Sequence, residues 1–252
     1  MKENKRTILF LVLGSFFIAN AIIAEFIGVK IFSLEKTLGI LPANWKVFGN
    51  TLSFNMTAGV LLWPVVFIMT DIINEYFGPK GVRLYSYIAA ALIAYAFFVI
   101  FMAIGLTPAD FWINKETPAG PLDMQNAYSQ IFGQGLWIII GSLVAFLIGQ
   151  IIDVTVFHYI KKRSGEKYLW LRSTGSTVVS QFIDSFVVLI IAFYIGAGWD
   201  LNLVLGIGVV NYIYKLTIAV LLTPLLYGLH AVIDIYLGTE LAAAMMREAQ
   251  EG

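Results

Sequence analysis

Apolar residues run almost without interruption for twenty or more positions at six places along the chain. The runs are Thr7–Val29, Leu52–Tyr76, Leu84–Leu106, Leu136–Tyr159, Thr174–Ala197 and Leu203–Tyr227. A hydrocarbon core about 30 Å thick needs roughly 20 apolar residues in a helix, so each run predicts a transmembrane helix. The first follows Lys2, Lys5 and Arg6 but is too long for a cleaved leader and lacks a small-x-small cleavage site. It reads as a retained span. Two connections are long, Lys30–Thr51 and Thr107–Gly135. The second holds Pro108, Pro118 and Pro121 with Phe111, Trp112 and Tyr128, which predicts a part-ordered cap at headgroup level. Residues 1–237 then form one six-helix membrane domain, and 238–252 a short charged, helix-like tail.

Composition agrees with this pattern. Of 252 residues, 59% are hydrophobic and only 13% charged, about half the charge of an ordinary soluble domain. Sixteen basic residues balance sixteen acidic ones, leaving no basic excess to attract nucleic acid. Cysteine is absent, which excludes disulfides, thiolate chemistry and Cys-ligated metals. Lysine and arginine set the expected orientation. With the N-terminus inside, eleven fall on cytoplasmic segments (Lys2, Lys5, Arg6, Lys80, Arg83, Lys161, Lys162, Arg163, Lys167, Arg172, Arg247) and four outside (Lys30, Lys36, Lys46, Lys115). The expected fold class is an all-α integral membrane protein with six spans and both termini cytoplasmic.

Ionisable groups inside a membrane are costly and normally face the bundle interior. The third run has none and reads as a packing or lipid-facing helix. The first holds Asn20 and Glu25. The second ends MTDIINEYFG, which puts Asp71, Asn74 and Glu75 on one helical face. Gln150 and Asp153 lie three apart in GQIID, as do Gln181 and Asp184 in SQFID, and Asn211 and Lys215 stand one turn apart. At 1.5 Å per residue, Asp184 is about 18 Å from Arg172, near the midplane and level with Lys215. The two are expected to neutralise each other in the empty protein. Small residues Gly141, Ala145 and Gly149 form a stripe on the fourth helix, which suggests a homodimer.

Intramembrane protease signatures such as GxGD or HExxH are missing, and so is the phosphate-binding GxxxxGK[ST] loop. No enzyme activity, metal or cofactor is expected. What remains is a polar cavity flanked by Phe67, Phe182, Phe186, Tyr212 and Tyr214. It suits a flat, hydrogen-bonding solute such as a nucleobase.

The runs WPVVFIMTDIINEYFG, GQIIDVTVF, STGSTVVSQFIDSFVVLIIAF and VNYIYKLTIAVLLTPLLYG together resemble the queuosine precursor transporter family of the vitamin uptake transporters. The resemblance covers all six helices in order. It implies a multi-pass protein of the bacterial inner membrane that imports 7-cyano- or 7-aminomethyl-7-deazaguanine, or queuine, for tRNA modification. Matched to the family motifs, Asn20, Asp71, Gln150, Asp153, Asp184 and Lys215 are the implied substrate-binding residues. Gln181 is an amide as in much of the family, and Glu75 matches some members. Asp184 or Asp153 is expected to accept N–H groups of the deazaguanine edge, with Lys215 or an amide donating to its carbonyl. The alternative is a substrate-binding subunit of an energy-coupling-factor importer, docked through a small-residue patch at Ala19, Ala21 and Ala24.

Overall fold

The computed structural model describes residues 2–118, 120–133, 135–164 and 168–251. Helix α1 (Lys2–Ile27) is followed by short elements: β1 (Ile31–Ser33), α2 (Leu34–Leu38), β2 (Trp45–Val47), β3 (Asn50–Leu52) and β4 (Asn55–Thr57). Then come α3 (Trp63–Ile104), α4 (Asp110–Ile113), β5 (Asn114–Thr117), β6 (Gly120–Asp123) and α5 (Met124–Phe132). Helix α6 (Leu136–Ser164) and α7 (Leu169–Leu189) follow, α7 continuing through a π-helical turn at Ile190–Ile195. Helices α8 (Leu201–Leu221), α9 (Thr223–Leu237) and α10 (Thr239–Glu251) complete the chain.

Five helices are long and apolar enough to cross a membrane, or six if the α9–α10 pair is counted as one span. At 42 residues, α3 would be about 63 Å long if straight, twice the hydrocarbon thickness. It is not straight. Gly78 has φ 70° and ψ −176°, a left-handed backbone that costs a glycine little, and Pro79 follows. Near one end of α1, Phe10 stacks on both Phe77 and Tyr85. Near the other, the carbonyl of Ala24 abuts Gly59 and Phe26 stacks on Phe97. The chain therefore reverses at Gly78, and α3 comprises two antiparallel spans, the second and third of the sequence pattern. The second half of α3 keeps Tyr85, Ala89, Ile93 and Phe97 buried and turns Tyr95, Phe98 and Met102 outward, the packing helix that its lack of charge foretold.

Three boundaries differ from the hydropathy pattern. Leu52 belongs to a β-ribbon, not a span: β2 pairs with β3 and β1 with β4, so α3 starts eleven residues later. The second long connection is likewise ordered, with β5 paired to β6 and α5 behind it. The sixth span stops at Leu221, because Pro224 in the first turn of α9 starts a new helix. Helix α9 crosses one end of the bundle. Its Tyr227 hydroxyl accepts from Trp170 N–H at the start of α7, Asp234 meets Tyr76, and the Tyr236 carbonyl accepts from Lys5. A 115° bend then leads to α10, which seats Ala249 on Gly78 and pairs Glu248 with Arg6 at 2.7 Å.

The small-residue stripe is used inside the monomer. A side chain at Gly141 would run into the Val188 carbonyl of α7, and one at Gly149 would touch Asp184 Cβ at 3.4 Å; Ala145 is buried. The stripe lets α6 and α7 pack closely and offers no dimer face.

Candidate functional site

Helix α7 presents a polar group about every third or fourth residue along one side: Arg172, Ser173, Ser176, Thr177, Ser180, Gln181 and Asp184. Each of its contacts brings in a neighbouring helix. At the basic end, Arg172 donates from Nε and Nη2 to the Glu75 carboxylate at 3.0 and 2.7 Å. Lys161, near the end of α6, approaches the same carboxylate at 3.2 Å. Arg172 and Lys161 are only 1% and 2% exposed. Sequence had assigned both to a cytoplasmic loop, but α6 and α7 run on far enough to carry them into the bundle. Lys167, grouped with them, lies outside the described residues.

Farther along α7, Ser173 donates to Asp71 and Ser180 donates to Asp153 at 2.9 Å. Thr70, beside Asp71, faces Gln150 Oε1 at 2.9 Å. Asp184 closes the row with a 2.6 Å ion pair to Lys215 of α8, the mutual neutralisation that their equal depth predicted. This pair is less secluded than the Glu75 group, the Asp184 side chain being 16% exposed.

Between the two charged clusters lies a narrow cleft. Phe67 and Asp71 of α3 line it, with Ser173, Thr177 and Gln181 of α7 opposite and Leu222 and Thr223 at the α8–α9 junction. Buried polar atoms without a protein partner concentrate in this region. Among the described residues they include Asp71 Oδ1, Gln150 Nε2 and both amide atoms of Asn74 and Gln181. Leaving one such atom unmet costs about 1–3 kcal/mol, so a cluster of them is a mark of function.

The other predicted residues are placed as follows. Asn20 gives its amide to the Phe16 carbonyl of its own helix at 2.8 Å and is not on the cleft wall. Glu75 is taken up by Arg172 and Lys161. Gln150 and Asp153 are set back from the wall, and Asp184 and Lys215 stand a turn beyond Gln181. Glu25 accepts from Ser142 at 2.8 Å, joining α1 to α6. Of the flanking aromatics only Phe67 lines the cleft. Phe182 stacks on Phe186 and meets Tyr212 edge-on, with 49% of its surface exposed, so this cluster faces outward. Tyr214 packs on Met56 and Val60. Sequence reasoning passed over Arg172, Lys161 and the hydroxyls of Thr70, Ser173, Thr177 and Ser180. The signal was present in STGSTVVSQ, whose hydroxyls recur at helical spacing.

A sequence profile of the family described as "Putative vitamin uptake transporter" matches residues 57–229, more than half the chain and every candidate site residue except Asn20. The chain belongs to the vitamin uptake transporter family. It is 30% identical to the "Probable queuosine precursor transporter" of Bacillus subtilis (strain 168) over 74% of its length and 77% of that relative. It is 27% identical to the protein of the same name from Haemophilus influenzae over 90% of its length and 87% of the relative. To the "Queuosine precursor transporter" of Escherichia coli (strain K12) it is 26% identical, over 78% and 83% respectively. No solved structure matches it. As a vitamin uptake transporter, it is a multi-pass protein of the bacterial inner, or plasma, membrane.

Proposed function

We infer that this transporter imports queuosine precursors, 7-cyano- or 7-aminomethyl-7-deazaguanine or queuine, into the bacterial cytoplasm for tRNA modification. The names of the three relatives point to that substrate class. The observation that carries the reading is the pair of walls presented by Asp71 and Gln181. Asp71 Oδ1 and both Gln181 amide atoms lack protein partners in one cleft. A guanine-type edge sets N–H groups beside a carbonyl oxygen. The Asp71 carboxylate accepts from the N–H groups, the Gln181 amide donates to the carbonyl, and Phe67 covers the ring. Glu75, held by Arg172 and Lys161, closes one end of the path, and the Asp184–Lys215 pair closes the other.

The ribbon-bearing end faces outward and both termini are cytoplasmic in this reading. Lys5, Arg6, Lys161, Arg172, α9 and α10 all gather at one end, as an excess of inside charge requires. Amine labelling of exposed Lys162 from outside intact cells contradicts this orientation. Burial of Ala21 and Ala24, which leaves only Ala19 of that small-residue patch exposed, supports this reading over the energy-coupling-factor alternative. The test is uptake by cells unable to make their own queuosine precursors, with deazapurines, guanine and biotin as competitors. Competition by deazapurines well above guanine, and none by biotin, supports the reading; competition by biotin alone contradicts it.

A further inference from the structure

Among the described residues, five acidic or basic side chains are buried in the basic-end half of the bundle: Asp71 and Glu75 on α3, Asp153 and Lys161 on α6, and Arg172 on α7. The two cations are already engaged. Both contact Glu75, and Arg172 is also within electrostatic reach of Asp71. Asp153 is different. It is wholly buried, and among the described residues no basic side chain pairs with it. Its neighbours are hydroxyls: Ser180 donates to Oδ1, and Ser176 lies beside it. The Ser176 hydroxyl is itself committed as a donor to the Ser173 carbonyl at 3.0 Å, and Asp153 Oδ2 is buried without a protein partner.

A carboxylate in a membrane interior without a cation is neutralised by a proton. Oδ1 accepts from Ser180, and the unpartnered Oδ2 is the oxygen free to carry that proton. The charged groups on the elements packed against it do not supply a substitute. On α3 these are Asp71 and Glu75, the first of which repels a charge at Asp153. On α7 they are Arg172, held by Glu75, and Asp184, held by Lys215 of α8. Ser173 and Ser176, one turn apart on α7, stand between Asp153 and the Asp71 carboxylate that borders the cleft.

We propose that Asp153 is the coupling-proton site of this carrier, exchanging its proton by way of Asp71 and the cleft so that a proton enters with the substrate. The proton is taken up on one side and released on the other, and no other bond changes. This rests on the transporter reading above and deepens it. A merely structural Asp153 would stay protonated throughout, and Asp153→Asn would then transport as the wild type does.

The experiment uses the purified full chain in sodium-free liposomes with labelled 7-cyano-7-deazaguanine and an inside-alkaline pH gradient. Two quantities are read: accumulation above the outside concentration, and exchange of internal for external substrate without a gradient. The wild type should accumulate substrate several-fold, with proton entry seen by an internal pH dye, and lose the accumulation when a protonophore is added. Asp153→Asn should exchange substrate at close to the wild-type rate yet only equilibrate it. Accumulation by Asp153→Asn equal to wild type overturns the proposal. So does wild-type transport that moves no protons or depends on sodium, a result that stands even if the variant fails to fold. Wild-type protein that exchanges but never concentrates substrate overturns the proton site alone; wild-type protein that exchanges no deazaguanine overturns the substrate reading and the proton site with it.

Discussion

Glu75 shows how a single carboxylate can hold three helices. It sits on α3 and receives Arg172 from α7 and Lys161 from α6, all three side chains being buried. Removing one partner of a buried ion pair leaves the others without compensation, at about 3–5 kcal/mol. Glu75→Gln should therefore lower the thermal unfolding midpoint in detergent markedly, and Glu75→Asp should lower it less. Asp184→Asn should insert and accumulate normally but strand Lys215, so adding Lys215→Met should restore stability better than uptake; equal recovery of both contradicts a transport role for the pair. The Asp184–Lys215 pair was legible in the sequence because both residues interrupt long apolar runs at matching depth. The Glu75 group was not, because basic residues near the end of a span look the same whether they face water or turn back inside. Gln181 was singled out by its spacing from Asp184, but only packing shows that both its amide atoms are unpartnered.

At the level of elements, hydropathy found the long spans and misplaced the places where polarity does not change. Leu52 and Leu222–Tyr227 continue apolar runs, although one belongs to a ribbon and the other to a helix lying across the bundle end. Pro224 was the available signal, since proline in the first helical turn marks a start. Gly78 does comparable work inside α3. A Cβ there would lie 3.0 Å from the Ala249 carbonyl, in a backbone region that L side chains rarely adopt. Gly78→Ala should loosen α10, read as faster proteolysis of the C-terminal helix with the six spans intact; unchanged cleavage contradicts this seating.

The ribbons between α1 and α3 are tied by Glu35, which accepts from the N–H groups of Phe54 at 2.8 Å and Ala43 at 3.4 Å and from the Ser33 hydroxyl. Burial acts to raise its carboxyl, but these donors outweigh it and hold it below the ordinary glutamate value of 4.5. Because the folded value is the lower one, this stabilisation is complete above the unfolded value and is lost as pH falls through the folded value. Acid should thus expose the Leu34–Leu52 segment to pepsin in the wild type, whereas Glu35→Gln should be sensitive already at neutral pH to a neutral protease.

For the whole molecule, the six-span pattern and the transporter family follow from sequence, while the cleft follows only from how α3 folds back and how α7 meets α8 and α9. A charge left unpaired in a membrane interior shows up in any hydropathy plot, but which carboxylates share a wall depends on helix rotation, which hydropathy does not record. In the proposed function, the Asp71–Gln181 cleft binds a deazaguanine and this chain carries it unaided. The most direct measurement is uptake of labelled 7-cyano-7-deazaguanine by liposomes containing only the purified chain, compared with Asp71→Asn and Gln181→Leu. A hydrogen bond to a charged partner contributes about 1.5–3 kcal/mol, roughly ten- to more than a hundredfold in affinity. The wild type should fill the liposomes, with loss of uptake on that scale for Asp71→Asn and a smaller loss for Gln181→Leu; uptake at the wild-type rate by both variants, or none by the wild type without added subunits, would contradict the proposed function.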